Sequence, residues 1–339
     1  MALKVGFVGT GGIAKRHLDN TAKRDDIEMV GYADVAVDRA RTAAETYGGN
    51  AYADFRELYD GEKPDVIVIC TPPFAHGEIE EEAARRGIHF FVEKPVAVSM
   101  ELAARVQTAV EKADIATQVG YMFRFSEALI QVRKLLAERP IAMVQAHYYM
   151  PGLPPPAWWP YMDKGGGQLV EQATHMLDLG RFLAGEVRTV TAQTATVRNW
   201  TDLPDGYQSD GMRYYAEEFD IPDVTALVLQ YESGALGTLS CSIVPQGKWD
   251  VGFKVVADGL LVTIEGANAR WVGDEAGEMQ AAENWAEYVL YELYDQVIAG
   301  NTRTSVPYIE GVKSLAISLA GYESVNRGGV PVHVADLLP

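Results

Sequence analysis

Val8-Gly9-Thr10-Gly11-Gly12-Ile13-Ala14 is the stretch on which the reading of this chain turns. An apolar run, Lys4–Val8, precedes it, and a helical period over Ile13–Lys23 comes after it, so a glycine-rich turn joins a strand to a helix. The spacing is G-x-G-x-x-A. Gly9 permits the tight turn, Gly11 lets the backbone approach a pyrophosphate, and Ala14 is small enough for close helix–strand packing. The first helical amides, around Gly12 and Ile13, point unpaired N–H groups at a phosphate. Alone, such a turn also occurs as a plain structural element, and the residues downstream of it decide between the two.

Asp34 ends the next apolar run, Ile27–Ala33, 25 residues after Gly9. An acid there can bind a ribose 2′-hydroxyl and would repel a 2′-phosphate, which favours NAD over NADP. Asp34 can instead cap the next helix, and Arg39 is a flexible cation able to reach a 2′-phosphate. Strand-like and helical periods continue to alternate: Val66–Cys70, His89–Val92 and Ile115–Gly120 read as strands, and Val37–Tyr47, Gly77–Arg86 and Met100–Lys112 as helices. This alternation builds a parallel, doubly wound sheet, and residues 1–121 read as a Rossmann dinucleotide-binding domain.

The pattern changes after Gly120. Phe125–Ala137 reads as a bridging helix, and Ala142–Tyr149, Val187–Val197, Val224–Glu232, Ala235–Ile243, Val251–Ala257 and Leu260–Glu265 as longer strands. Glu232-Ser233-Gly234 and Asp258-Gly259 carry hairpin-turn residues, so a large, mainly antiparallel open sheet is expected. Asn284–Ala299 and Ile309–Asn326 read as closing helices. Residues 122–339 are therefore expected to form one α+β domain for substrate binding and oligomerisation. Two long segments, Pro151–Gly167 and the polar, Tyr-rich Arg198–Asp223, read as loops of a functional or mobile kind.

Thr71-Pro72-Pro73 with His76 comes after one strand of the first domain, and Glu93-Lys94-Pro95 after the next. Both lie at carboxyl ends of strands, where open α/β sheets bind ligands. With the glycine-rich turn, these residues resemble the glucose–fructose oxidoreductase, inositol dehydrogenase and rhizopine-catabolism family (Gfo/Idh/MocA), along nearly the whole chain. The resemblance implies that Lys94 stands beside the nicotinamide and hydrogen-bonds the reacting oxygen. It associates Pro95 with a cis peptide. Thr71, Pro72, Pro73, His76 and Glu93 then line the cofactor. Without the resemblance, Lys94 reads as a surface lysine at a strand end and His76 as a helix-start residue. His17 reads as a packed residue of the first helix.

Gly165-Gly166-Gly167 precedes Glu171, His175 and Asp178, at helical spacings that place these three on one stripe. The resemblance makes His175 the general base, a task suited to an imidazole that titrates near neutral pH. A hydrogen-bonded core histidine is the plainer reading. Inositol-dehydrogenase-like members carry Asp where this chain has Glu171, which marks a separate branch with a Glu-Gln-Ala-Thr-His motif. Glu171 then acts in catalysis, orients His175, binds substrate, or simply suits the helix N-terminus. Asp178 reads as a helix support through Arg181. Tyr121 and Arg124 stand where a substrate cleft would open, with a structural salt bridge as the other reading of Arg124. Trp158 and Trp159 are suited either to cover a sugar face or to pack at a contact.

Composition narrows the class. The formal net charge of −18 disfavours nucleic acid and anionic membranes, and no apolar run is long enough to span a bilayer. The first strand begins almost at Met1, leaving no room for a secretory leader, and two cysteines make no disulfide framework, so a cytoplasmic setting is expected. No metal-ligand cluster is evident. The expectation is an NAD(P)-dependent dehydrogenase acting on a CH–OH group of a sugar, sugar acid or cyclitol, as a homodimer or homotetramer. An NAD-using glycosidase and a non-catalytic NAD-binding sensor are the rival readings of the same fold.

Overall fold

The computed structural model describes residues 2–201 and 218–339. Most of the expected Arg198–Asp223 loop, residues 202–217, lies outside the described residues. The chain divides into two compact units, Met1–Met122 with Glu287–Val312, and Phe123–Ala286 with Lys313–Pro339.

The first unit alternates β1 (Leu3–Val8), α1 (Gly12–Thr21), β2 (Ile27–Ala33), α2 (Val37–Tyr47), β3 (Asn50–Tyr52), α3 (Phe55–Glu62), β4 (Val66–Ile69), α4 (Glu78–Arg85), β5 (His89–Val92), α5 (Met100–Ala113) and β6 (Thr117–Val119). Its six strands pair in the order β3-β2-β1-β4-β5-β6, every pair parallel. This is the doubly wound order in which the sheet reverses direction beside β1, the place where such sheets bind dinucleotides. Strand β4 is Val-Ile-Val-Ile and wholly buried, as a strand covered on both faces must be.

In the second unit the chain runs through α6 (Glu127–Leu136), β7 (Ile141–Tyr149), α7 (Met162–Gly165), α8 (Gly167–Glu171), α9 (Thr174–Ala184), β8 (Val187–Ala195), β9 (Val224–Tyr231), β10 (Leu236–Ser242), β11 (Asp250–Ala257), β12 (Leu260–Glu265), β13 (Asn268–Gly273) and β14 (Gly277–Met279). Helix α10 (Tyr288–Ile298) then lies in the first unit, and α11 (Tyr308–Asn326) and β15 (Val332–His333) end the chain, the unit boundary falling within α11. The nine-stranded sheet has the order β14-β13-β12-β11-β7-β10-β9-β8-β15. Only the β7–β10 pair is parallel, so the sheet is mainly antiparallel. Its strands alternate in burial, as in β9 and β12, because one face meets α9 and α11. On the other face Leu236, Met143, Val256, Leu261 and Val272 pair in register across five strands, each between 37% and 51% exposed.

Two expectations need correction. The second domain is not the single stretch 122–339, because Glu287–Val312 belongs to the first unit. The cause is the edge of the parallel sheet. Val119 donates its N–H to Val306 O at 2.9 Å, Gln118 reaches Val289 O and Glu292, and Val289, Leu290, Leu293 and Tyr294 of α10 are buried. The returning segment thus covers an otherwise open strand.

Glu171, His175 and Asp178 also do not share one helix. Helix α8 stops at Glu171 and α9 starts at Thr174. A continuous helix would need the Ala173 N–H on Leu169 O, but Ser318 Oγ of α11 donates to that carbonyl at 2.8 Å. The Ala173 N–H bonds Gln168 O instead, at 2.8 Å, a five-residue step that breaks the helix.

Candidate functional site

In the first unit the residues expected from the sequence to bind a cofactor gather at the carboxyl ends of β1, β2, β4 and β5. Gly9 has φ of +83°, and a Cβ there would stand 2.7 Å from the Cys70 carbonyl oxygen, so only glycine fits. At Gly11 and Gly12 a Cβ would meet nothing within 4 Å, which leaves an open shelf in front of α1. Gly11 caps α1 without a side-chain bond, Ile13 is exposed, and Ala14 is fully buried where the helix meets the sheet. The leading amides of α1 therefore keep donors for an anion.

Asp34 ties β2 to this turn. One carboxylate oxygen accepts from Thr10 N at 2.9 Å and Thr10 Oγ1 at 3.1 Å, and the other accepts from Ala36 N at 2.8 Å. The cap of α2 is Ala36, so Asp34 is not the residue that caps that helix.

After β4, Pro72 and Pro73 lead into a 3₁₀ turn over Pro73–Ala75. His76 is 6% exposed, and its Nδ1 lies 2.5 Å from Glu80 Oε1, while the second Glu80 oxygen accepts from Gly77 N at 2.6 Å. The ring thus turns Nδ1 to the carboxylate and Nε2 away from it. That Nε2 and the Thr71 hydroxyl are buried with no partner. Orphaned buried polar atoms beside an open glycine shelf fit a polar ligand such as a dinucleotide.

Glu93 and Lys94 come directly after β5. His17 Nε2 of α1 lies 2.6 Å from Glu93 Oε1. Burial pushes the Glu93 carboxyl up, but the hydrogen bond and charge of His17, with the Lys94 charge and backbone N–H, outweigh it, and the net direction is down. Lys94 is half-buried and the Lys94–Pro95 peptide is cis. Tyr121, just past β6, is 1% exposed.

In the second unit His175 is the second residue of α9 and 8% exposed. The Phe123 ring meets it edge-on at 5.8 Å and stacks on Trp285 at 5.5 Å. Glu171 ends α8 and accepts from Trp159 Nε1 at 3.2 Å. The Tyr148 hydroxyl is pushed up by burial and then by the Glu171 charge.

Trp159 is buried with Met150, Leu153, Trp200, Ile221 and Ile243, and Trp158 packs partly buried on this cluster and over Gly165. Arg124 forms a two-pronged pair with Asp178, at 2.9 and 2.6 Å, and Arg181 stands 3.6 Å from the same carboxylate. Of its two sequence readings, the ion pair is the one formed. Glu80, Phe123 and the role of His17 are not legible in the sequence: their partners are set by packing, and no spacing rule links position 17 to position 93.

Comparison with known proteins identifies the family. Residues 3–121 match the model of an oxidoreductase family with an NAD-binding Rossmann fold, and residues 129–262 match the GFO/IDH/MocA C-terminal domain. The uncharacterized oxidoreductase YrbE of Bacillus subtilis is 24% identical over 97% of this chain and 96% of its own. Myo-inositol 2-dehydrogenase of Thermotoga maritima is 26% identical over 71% of this chain and 68% of its own. Levoglucosan dehydrogenase, solved with NADH and levoglucosan, shares the fold with a TM-score of 0.82 at 20% identity, over 98% of this chain and all of that one. The chain belongs to the GFO/IDH/MocA family of NAD-binding oxidoreductases.

Proposed function

We propose that the protein is an NAD-dependent dehydrogenase that interconverts a secondary alcohol and a ketone on a sugar, sugar acid or cyclitol. The observation that carries this reading is the set at the carboxyl edge of the parallel sheet: the open glycine shelf, Asp34 bound to that turn, the unpartnered Thr71 hydroxyl, and Lys94 after β5. Gly9, Gly11, Gly12, Ile13 and Ala14 would hold the pyrophosphate. Asp34 would take the ribose hydroxyls, which favours NAD over NADP, and Thr71, Pro72, Pro73, His76 and Glu93 would line the nicotinamide side. When bound, NAD supplies the hydride acceptor or donor.

The chain's own groups handle the proton and the oxygen. Lys94 donates a hydrogen bond to the carbinol oxygen and stabilises charge as it develops there. His175 removes the hydroxyl proton and returns it in the reverse direction. Glu171, held by Trp159, either shapes the proton path or binds a substrate hydroxyl. Trp158 is assigned to the substrate side, while Arg124 supports α9 through Asp178. Hydroxylated rings are the substrates named for relatives that act on myo-inositol and levoglucosan, and this supports a polyol substrate.

A homodimer or homotetramer is proposed from the apolar row of the open sheet, and a cytoplasmic setting from the two buried, unbridged cysteines. Among the described residues no helix is long and apolar enough to cross a membrane.

The test is a panel of sugars, sugar acids and cyclitols with NAD and NADP, read by absorbance of the reduced cofactor. Lys94→Ala and His175→Ala should each lower kcat by about 10²–10⁴-fold on the active substrate. Undiminished turnover in both variants would overturn the assignment.

A further inference from the structure

His17 has no place in the reaction as described, yet its surroundings are unusual for a core residue. It lies on α1, the helix opened by the phosphate-binding turn, and is 4% exposed. Its Nε2 meets Glu93 Oε1 at 2.6 Å. The same carboxylate takes the backbone N–H of Lys94. It is also packed closely on Gly120, just past β6, since a Cβ there would stand 3.0–3.1 Å from the carboxyl atoms. The Phe91 ring, centroid 4.9 Å away and tilted by 58°, steadies the imidazole. The other ring nitrogen, Nδ1, is buried without a partner.

A core that needed only volume here would be served better by an apolar ring. Burying an acid–imidazole pair is unfavourable against an apolar alternative, and an unpaired ring nitrogen adds to that penalty. The position carries one thing a phenyl ring lacks, a donor aimed at the carboxylate that grips the peptide before Lys94. We propose that His17 is a positioning residue for Lys94: its imidazole anchors Glu93, and Glu93 fixes the peptide from which the ammonium projects. One charge-assisted hydrogen bond then ties the helix whose N-terminus faces the phosphates to the turn that carries the ammonium. A displacement of about an ångström at such a group is enough to lower a rate a hundredfold. The proposal rests on the dehydrogenase reading for its consequence, but its geometry is testable without turnover.

The variants are His17→Phe, which keeps the ring and loses the donor, and His17→Gln, which keeps an N–H donor of similar reach. In the cofactor-free protein, trinitrobenzenesulfonate labelling is tracked lysine by lysine by peptide mass. The Lys94 rate should change by about threefold or more in His17→Phe, with Lys15 and Lys23 unchanged, and return towards the original in His17→Gln. On an active substrate, His17→Phe should lower kcat by about 30-fold, with KM and the Kd for NADH within about threefold, and His17→Gln should recover most of the loss.

An unchanged Lys94 labelling rate in folded His17→Phe overturns the proposal. So does a loss of kcat that merely tracks a loss of NADH affinity. If His17→Phe does not melt cooperatively, Glu93→Gln, which keeps an acceptor oxygen and removes the charge, is read by the same labelling, and no change at Lys94 again overturns it. A parent protein that oxidises nothing on the panel, yet shows the labelling change, supports the positioning role and sinks only the dehydrogenase reading.

Discussion

Single carboxylates do most of the local organising. Asp34 accepts three hydrogen bonds, two of them from Thr10, so it shapes the glycine-rich turn in addition to the ribose-binding role proposed for it. Asp34→Ala should therefore act twice. The Thr10 and Ala36 amides lose their acceptor, lowering stability by about 1–3 kcal/mol in a denaturant titration. The ratio of kcat/KM for NAD over NADP should also fall, and an unchanged ratio would remove Asp34 from cofactor choice. Glu80 is a second case: it is fully buried and bonded to His76 and Gly77 N. Glu80→Ala should destabilise by about 2–3 kcal/mol, since both donors are left without partners. The sequence made Asp34 visible, because an acid at a strand end after a glycine-rich turn has a known use. Glu80 was invisible: a glutamate among Glu78, Glu80, Glu81 and Glu82 reads as a solvated helix face, and only the fold shows that one of the four points inward.

At the scale of elements, the decisive event is the break between α8 and α9. Ser318 donates to the Leu169 carbonyl that a continuous helix would use, and His175 is the second residue of the helix that restarts beyond the break. Ser318→Ala frees the carbonyl for the Ala173 amide. It should lower stability by about 1 kcal/mol and lower kcat more than the thermal shift alone explains, as measured by melting and steady-state kinetics. A kcat equal to the parent's would mean that the break does not aim the imidazole.

Just past α9, Glu186 is bonded to Arg181 and Lys313, and although burial pushes its carboxyl up, these cations bring it down to about 2. A depressed acid stabilises the fold at pH above its unfolded value, and that contribution fades as pH falls from about 4.5 towards 2. Glu186→Gln should thus be less stable than the parent at pH 7, and the gap should close in acid unfolding curves over that window.

Most elements could be read from periodicity, including α2, β2 and β12 to the residue. The break at Gln172-Ala173 could not, since neither residue disfavours helix and the cause lies on α11. Strands β3 and β14, at three residues each, are too short to show alternation.

For the whole molecule, the open sheet presents Leu236, Met143, Val256, Leu261 and Val272 as one apolar row across five strands. A row of this length left in water favours self-association. Light scattering should find an assembly, and Met143→Lys with Leu261→Lys should reduce it to the mass of one chain without loss of cooperative melting. A parent protein that already scatters as a single chain would end the oligomer proposal.

The two-part organisation was legible from the change of pattern after Gly120, but the home of Glu287–Val312 was not. An amphipathic helix announces that it will be buried, not which sheet will bury it. That segment decides how the gene can be cut. An expression product stopped at Met122 would leave β6 with a raw edge and Gln118 with its amide unmet, and it should precipitate. Grafting Glu287–Val312 onto it through a short Gly-Ser bridge would restore the missing border and yield a self-standing nucleotide-binding module.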